Sequence, residues 1–413
     1  MRAKGRKKRS APSFASSQSF QYLVSRTLSI SMSTFMALHY SRILGPENRG
    51  ILSFITLLMM VLSEIFLGAI NLEIRSTHNT SLIKKRVRHF LTTSLQRILL
   101  IVLILLFFEV IFSRQKSEIK PVLFAITAVY VLIALVTQQL LELLLAFSKI
   151  RISSILEVTI VSLQIIIYTL LLTLSSISTI IIVLTSFITS YFITIIVLII
   201  KNPSNLNAHP KLEISKDSFI KESRMFIPQV ISIALLDRLD KVLFLLLFSI
   251  SDFGRYMVAA SLFSTFRFLP EAIGKLVLNR KLLQFTIFIT QNRKLMILIA
   301  GVLIFPLATL GGLIISTILG VDWQLPISIY FLLLNCELLR FLVVVELNRR
   351  NITRDHIFPA WSPIVIAVLL SFTVLCLRPF LGITAIPIVM FIAYSFILWL
   401  LGRKLNGEPA RSG

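Results

Sequence analysis

The sequence has few cysteines, few acidic residues and none of the short motifs that mark common catalytic sites. Its two cysteines, Cys336 and Cys376, lie in apolar runs without motif spacing, so neither a disulfide framework nor a zinc site is supported. It contains no GxxxxGK[ST], GxSxG or HExxH pattern, and its five histidines are scattered. We therefore expect no metal, no cofactor and no ATP hydrolysis by this chain.

Long apolar runs dominate what is present. The chain is 56% hydrophobic, with a mean hydropathy of +0.88, and runs near the roughly 20 residues that a spanning helix needs recur along its whole length. This pattern predicts an all-α polytopic membrane protein with twelve transmembrane helices. The predicted spans are 19–40, 51–71, 91–113, 121–146, 153–174, 178–200, 225–248, 254–278, 294–318, 326–347, 359–377 and 381–401.

The net charge of +23 invites a nucleic-acid interpretation, but its distribution favours a membrane explanation. With a cytoplasmic N-terminus, thirty of the 42 Lys and Arg residues lie on or next to the cytoplasmic segments, and seven lie on the opposite side. This positive-inside bias predicts both termini in the cytoplasm and no nucleic-acid partner. The basic run at 84–88 acts as a topology signal in this interpretation, with attraction to anionic lipid as an alternative.

The longest polar stretch falls near the middle of the chain and divides six spans from six. We expect a basic tail at 1–18, a six-helix bundle at 19–200, a cytoplasmic linker at 201–224, a second six-helix bundle at 225–401 and a tail at 402–413. An even number of spans in each half makes the halves parallel repeats about an axis along the membrane normal. A short acidic, Gly-containing turn follows the first helix of each half, at 43–54 and 249–263.

Two segments carry a family resemblance. "SRILGPENRG", after a first span that opens "FQYLVSRTLS", and "ALLDRLDKVLFLLLFSISDFGRYMVAASLF" resemble the Wzx-type oligosaccharide flippases of the multidrug/oligosaccharidyl-lipid/polysaccharide exporter (MOP) superfamily. In that family an R-x-L-G-P-E-x-x-G turn follows the first helix, and a D-R pair in the seventh helix precedes a G-x-Y turn. The matching residues are Arg42, Leu44, Gly45, Pro46, Glu47, Gly50, Asp237, Arg238, Gly254 and Tyr256.

The resemblance implies a MATE/MOP-like fold and a transporter rather than an enzyme. Such flippases move a polyprenyl-diphosphate-linked oligosaccharide, such as an O-antigen or other surface-polysaccharide repeat unit, from the cytoplasmic to the periplasmic leaflet by alternating access. It also implies a location in the cell inner membrane. The implied partners are membrane lipids, the lipid-linked oligosaccharide, and polysaccharide polymerase and chain-length proteins. Because no ATP site is present, we expect coupling to a proton or sodium gradient, or to substrate flux.

The seventh span contains four charges in an otherwise apolar run. In contact with lipid they would cost about 10 to 14 kcal/mol, against about 4.5 to 9 kcal/mol returned by the apolar residues. They are therefore either paired within the protein or line a wet cavity between the bundles. Guanidinium groups there would bind the phosphates of a lipid diphosphate. The candidate substrate-binding residues are Arg26, Arg238, Arg267 and Arg340.

Intramembrane carboxylates suggest a second role, in ion coupling or in pairing. Asp237 with Lys241, Arg267 with Glu271 and Glu337 with Arg340 stand three or four residues apart, so each set predicts an intrahelical pair as the alternative to a site. Arg26 has no carboxylate within one turn of its own helix, which makes it the first choice for a substrate contact. The coupling or pairing candidates are Glu64, Glu142, Asp237, Asp240, Lys241, Glu271 and Glu337.

Two other functions compete with the flippase. An ion-coupled exporter of organic cations in the same superfamily would have a carboxylate-rich, aromatic cavity, whereas four arginine candidates favour an anionic substrate. A membrane polysaccharide polymerase would need a large extracytoplasmic loop for its catalytic residues, and the predicted spans leave no such loop longer than about ten residues.

Overall fold

The computed structural model describes residues 18–76, 80–115, 121–147, 150–174, 178–201, 227–263, 293–353 and 362–405. Every regular element in these ranges is helical. The α-helices are α1 (Gln18–Ser76), α2 (Thr80–Gln115), α3 (Pro121–Ala146), α4 (Ile150–Leu174), α5 (Thr179–Lys201), α6 (Ile227–Leu247), α7 (Ile250–Phe263), α8 (Arg293–Leu319), α9 (Ile327–Thr353), α10 (Ser362–Leu381) and α11 (Ala385–Leu405). Short 3₁₀ turns cover Val321–Trp323 and Gly382–Thr384.

Helix α1 consists of two helices joined at Gly45, which has φ 74° and ψ 168°. Its apolar stretch Val24–Asn71 contains 48 residues. A straight helix of that length would measure about 72 Å, more than twice the roughly 30 Å hydrocarbon core of a bilayer. The break gives two helices of spanning length instead. Pro46 opens the second one, at the position where a missing backbone N–H costs least.

Counting both parts of α1, twelve helical segments lie in the described ranges, and the twelve predicted spans are each matched by one of them. The fourth has the predicted bounds, and the eighth is described only from Ile250 to Phe263. Six stretches of the described residues are long and apolar enough to cross a membrane, and two of them, Val24–Asn71 and Val365–Trp399, each cover two predicted spans. The protein is therefore a multi-pass helical membrane protein.

Each half of the chain has its own hydrophobic core. In the N-terminal half, α1 packs on α2 and α4, and α5 packs on α3 and α4, around a core that includes Leu52, Ile101, Val131, Leu135 and Leu184. In the C-terminal half, α9 packs on α8 and α11, and α10 packs on α6 and α11, around Phe244, Phe253, Ile329, Val374 and Ile386. Helix α1 also packs against α6 and α7, and its Leu38 and Leu57 belong to the core of the C-terminal half. The halves therefore meet along α1, α6 and α7.

The outer surface of both halves is apolar. Large hydrophobic side chains stay exposed along the helices, including Phe35, Leu103, Phe305 and Phe372. In water such a surface would promote association, whereas in a bilayer it faces lipid. Most of the predicted linker at 201–224 and of both tails lies outside the described residues, so those boundaries stay predictions.

Candidate functional site

An ion pair joins the two halves where α1 meets α6. The Nη2 atom of Arg238, on α6, lies 2.7 Å from Oε1 of Glu64, on the second part of α1. The side chains are 13% and 30% exposed, so the pair lies at a partly open junction rather than in a sealed core. The residue that Arg238 meets lies on the second predicted span.

Both partners of this pair keep unused hydrogen-bonding capacity. The Nε atom of Arg238 and the Oε2 atom of Glu64 are buried and have no hydrogen-bond partner within the described part of the chain. A guanidinium offers five N–H donors in a planar fork, and this pair uses one contact of that fork. The pair therefore leaves donors of the Arg238 guanidinium uncommitted, which an anionic or polar group would engage once the junction opens.

Arg26 lies in a second ion pair, within the N-terminal half. Its Nη1 atom is 3.0 Å from Oε2 of Glu157 on α4. Ser29, one turn further along α1, donates a hydrogen bond from Oγ to the backbone carbonyl of Glu157 at 3.3 Å. The sequence showed no carboxylate near Arg26 on its own helix, and the structure supplies one from another helix. In this conformation Arg26 is therefore paired within the N-terminal half.

Four charged residues form a buried cluster in the C-terminal half. Asp240 and Lys241 of α6 pair at 3.2 Å, and Glu337 and Arg340 of α9 pair at 2.7 Å. Each of these four residues is less than a tenth exposed. Tyr256 of α7 donates its hydroxyl to Oδ2 of Asp240 at 2.8 Å. Two acids and two bases give these four described residues no net charge together, which reduces the cost of burying them.

The cluster tests one of the intrahelical pairs predicted from the sequence. The pair of Glu337 and Arg340 is present, and the Arg340 guanidinium also lies 5.6 Å from the centre of the Tyr394 ring. Lys241 donates to both carboxylate oxygens of Asp240. The side chain of Asp237 is outside the described residues, so its pair with Lys241 stays a prediction. Arg267 and Glu271 also lie outside them.

The family-motif residues do not all lie in turns. Only Gly45 leaves helical geometry in the first motif, and Pro46, Glu47 and Gly50 continue α1. Correcting the sequence prediction, Gly254 and Tyr256 lie inside α7, and the turn is at Phe248 and Ser249.

The second turn ends at Ser249, before the predicted motif residues Gly254 and Tyr256, because Ser249 caps α7. The Oγ of Ser249 accepts a hydrogen bond from the backbone N–H of Asp252 at 3.1 Å and donates one to the Asp252 carboxylate at 2.7 Å. This reciprocal cap fixes the start of the helix at the next residue. Arg42 and Glu47 are exposed, whereas Gly50, Gly254 and Tyr256 are buried.

Sequence reasoning missed Glu157 and the buried pair of Glu73 and Arg86. Glu157 is the only acidic residue of helix α4, and an isolated intramembrane carboxylate is itself a signal of a pairing or a site. Glu73 and Arg86 were assigned to a cytoplasmic connection, which hid their pairing. Glu142, a predicted coupling residue, is 2% exposed on α3.

No protein-family model matches the sequence, and no curated protein matches it. Solved structures match the fold along nearly the whole chain. A mutant of the MATE transporter VcmN from Vibrio cholerae has a TM-score of 0.61 at 16% identity, over 95% of this chain and 97% of that chain. The eukaryotic MATE transporter AtDTX14 has a TM-score of 0.68 at 14% identity, over 95% and 96%. A MOP superfamily transporter from Pyrococcus furiosus, described as having a binding pocket of reverse polarity, has a TM-score of 0.61 at 12% identity, over 94% and 95%.

At these identities the comparison concerns the fold. The chain has the MATE-type transporter fold, in which twelve helices form two bundles. The MATE/MOP-like fold expected from the sequence is confirmed. The three neighbours do not bear on the Wzx subtype or on the substrate.

Proposed function

We propose that the protein is a flippase that moves a polyprenyl-diphosphate-linked oligosaccharide across the membrane by alternating access. The observation that carries the proposal is the ion pair between Arg238 and Glu64 at the junction of the two halves. In this proposal a substrate that passes between the bundles meets this junction, because α1 and α6 bring the two halves together there. A guanidinium there suits a substrate whose head group carries phosphate.

Glu64 occupies the place that a substrate phosphate would take beside Arg238. With no substrate, the carboxylate neutralises the guanidinium and limits the cost of its partial burial. A diphosphate supplies more negative charge and more acceptor oxygens, so it competes with Glu64 for the same fork. The partner exchange then favours the substrate-loaded state without leaving a cation unpaired.

The same exchange suggests how transport is coupled to a gradient. Once released from Arg238, the Glu64 carboxylate is left in a partly buried site, where uptake of a proton or a sodium ion would stabilise it. The buried cluster of Asp240, Lys241, Glu337 and Arg340 is a second candidate for coupling. Glu142, Asp237 and Glu271 remain candidates from the sequence.

The charge distribution supports a cell inner-membrane location with both termini in the cytoplasm. Fusions of a reporter that is active on only one side of the membrane, placed after residue 201 and after residue 405, test this orientation. Both are expected to report the cytoplasmic side. A polysaccharide polymerase and chain-length proteins are the proposed downstream partners.

The flippase proposal is tested in a strain whose own oligosaccharide flippase is deleted. Lipid-linked oligosaccharide should accumulate on the cytoplasmic leaflet, the wild-type chain should clear it, and Arg238→Ala should not. Arg88→Ala, at an exposed position on α2 outside both family motifs, is the matched control and should clear it fully. A strain that exports the oligosaccharide equally well with Arg238→Ala would remove the proposed role of this residue.

An exporter of organic cations is the second candidate. Glu64 is more exposed than Arg238 at the junction, and the structural neighbours include MATE transporters. The same strains, challenged with a lipophilic cation such as ethidium, separate the two functions. Protection against ethidium that Glu64→Gln abolishes, with no clearance of lipid-linked oligosaccharide, would favour the exporter.

A further inference from the structure

The two family-motif glycines, Gly50 of α1 and Gly254 of α7, lie in reciprocal contact across the junction of the halves. A Cβ atom built on Gly50 would lie 2.1 Å from the carbonyl oxygen of Ile250, and a Cβ on Gly254 would lie 2.0 Å from the carbonyl oxygen of Pro46. Neither position has room for a side chain, because the obstructing atoms belong to the backbone of the opposite half. Real Cβ atoms are not found at such distances.

The contact is arranged as if a two-fold axis related its two sides. Each glycine meets the residue that stands four positions before the other glycine, since Pro46 precedes Gly50 as Ile250 precedes Gly254. Reciprocal contact of this kind defines an isologous interface. The starts of the two helices also correspond. The second part of α1 starts at Pro46, directly after Gly45, and α7 starts at Ile250, directly after Ser249. The two motifs are therefore structurally equivalent parts of the two repeats, which the sequence match alone suggested only weakly.

A contact between backbones can be both specific and easily broken. The hydrogen on each glycine Cα that a Cβ would replace points at a carbonyl oxygen, which is the arrangement of a weak Cα–H···O bond. Small residues also allow helices to approach closely in membranes. The contact contains no ion pair that must be dismantled when the halves separate.

Each side of the contact is supported from within its own half. Arg49, next to Gly50, lies 5.0 Å from the centre of the Tyr40 ring. Arg255, next to Gly254, pairs with Asp252 at 3.4 Å.

One side chain near the contact is covered by the opposite half. Leu57, two turns beyond Gly50 on α1, is 3% exposed because it is packed in the core of the C-terminal half.

We propose that Gly50 and Gly254 form a latch that closes one end of the cleft between the halves, and that a methyl group on either glycine shifts the protein toward the state open at that end. The latch deepens the proposed transport function, because it identifies a contact that must separate when the cleft opens. It does not depend on the substrate. An exporter or a flippase with this fold would use it alike.

The test measures access to the covered side chain of Leu57. The reporter is Leu57→Cys in a full-length chain with Cys336→Ala and Cys376→Ser, labelled with a membrane-impermeant maleimide in whole cells and in inverted vesicles. Gly50→Ala and Gly254→Ala should each speed labelling by about tenfold or more, and from one side of the membrane only. The reporter chain that keeps both Gly50 and Gly254 should label slowly from that side.

Gly312→Ala is the matched control, since its new Cβ would lie 3.1 Å from the Tyr330 ring within one half. It should leave the labelling rate unchanged. Equal acceleration by Gly312→Ala, or none by Gly50→Ala and Gly254→Ala in folded protein, would overturn the latch.

A second measurement applies if the alanine variants fail to fold. Glu47→Cys and Ser251→Cys, equivalent positions adjoining the contact, are introduced with the reporter and oxidised. A disulfide should form and should slow labelling of Leu57→Cys by about tenfold or more. Failure of the disulfide to form, or labelling that ignores it, would contradict the proposal. A chain that passes these tests but moves no lipid-linked oligosaccharide would retain the latch and lose the flippase function.

Discussion

The hydroxyl of Tyr256 donates a hydrogen bond to Oδ2 of Asp240 at 2.8 Å and so ties α7 to the charged cluster of the C-terminal half. The Tyr256 ring also stacks on Phe244, with ring centres 4.3 Å apart. Gly254, two residues earlier on α7, contacts the opposite half. Residues two apart lie on nearly opposite faces of a helix. One short helix therefore connects the contact between the halves to the buried charges.

Tyr256→Phe should destabilise the protein by about 1.5 to 3 kcal/mol, because it keeps the stacked ring and removes a hydrogen bond to a buried charged group. Thermal unfolding in detergent measures the loss. Tyr330→Phe is the control, since the Tyr330 oxygen accepts a bond only from the neutral backbone N–H of Leu325 among the described residues. Equal losses of stability in the two variants would show that the bond from Tyr256 to Asp240 contributes no more than a bond to a neutral group.

Glu64→Gln should strengthen binding of a diphosphate head group by about tenfold, because it removes the carboxylate that competes for Arg238. Binding of a soluble polyprenyl-diphosphate analogue to the purified protein measures the change. Asp322→Asn removes a carboxylate at an exposed position in the 3₁₀ turn of the C-terminal half and should leave affinity unaltered. Weaker binding by Glu64→Gln would mean that Glu64 assists the substrate instead of competing with it.

The helices were predictable from the sequence, whereas the site's pairings were not. A segment that crosses lipid must satisfy its backbone hydrogen bonds internally, and an apolar segment of that length does so as a helix. Apolar runs of spanning length therefore locate all twelve segments. The pair of Glu337 and Arg340 was also visible, since both lie on one helix face. The partners of Arg26 and Arg238 stand 131 and 174 residues away in sequence, and only the packing of separate helices brings them together. The two motif glycines were recognisable as motifs, but their mutual contact depends on the same packing.

Gly45→Ala should destabilise the protein by about 1 to 3 kcal/mol even though a Cβ there would meet no atom within 4 Å. The cause is the backbone, since φ 74° with ψ 168° belongs to a region open essentially to glycine alone. The shift of the thermal unfolding midpoint measures it. Arg42→Ala, at an exposed position before the break, should change the midpoint little. A tolerated Gly45→Ala would mean that the break between the first two spans can form with another geometry.

The pair of Glu73 and Arg86 should stabilise the junction of α1 with α2, although both residues belong to the connection whose charges were taken as topology signals. Both are less than a tenth exposed, so Arg86 faces a buried carboxylate rather than the lipid surface. Glu73→Gln keeps the shape and replaces a charged hydrogen bond to Arg86 by a neutral one, and should cost about 1.5 to 3 kcal/mol. Thermal unfolding in detergent measures the cost, with the exposed Glu47→Gln as the reference. The double variant Glu73→Gln with Arg86→Met should recover most of the loss, because it removes the charge that the single variant leaves buried. If Glu73→Gln behaves like Glu47→Gln, Arg86 is satisfied by other groups and the pair contributes nothing to holding the two helices together.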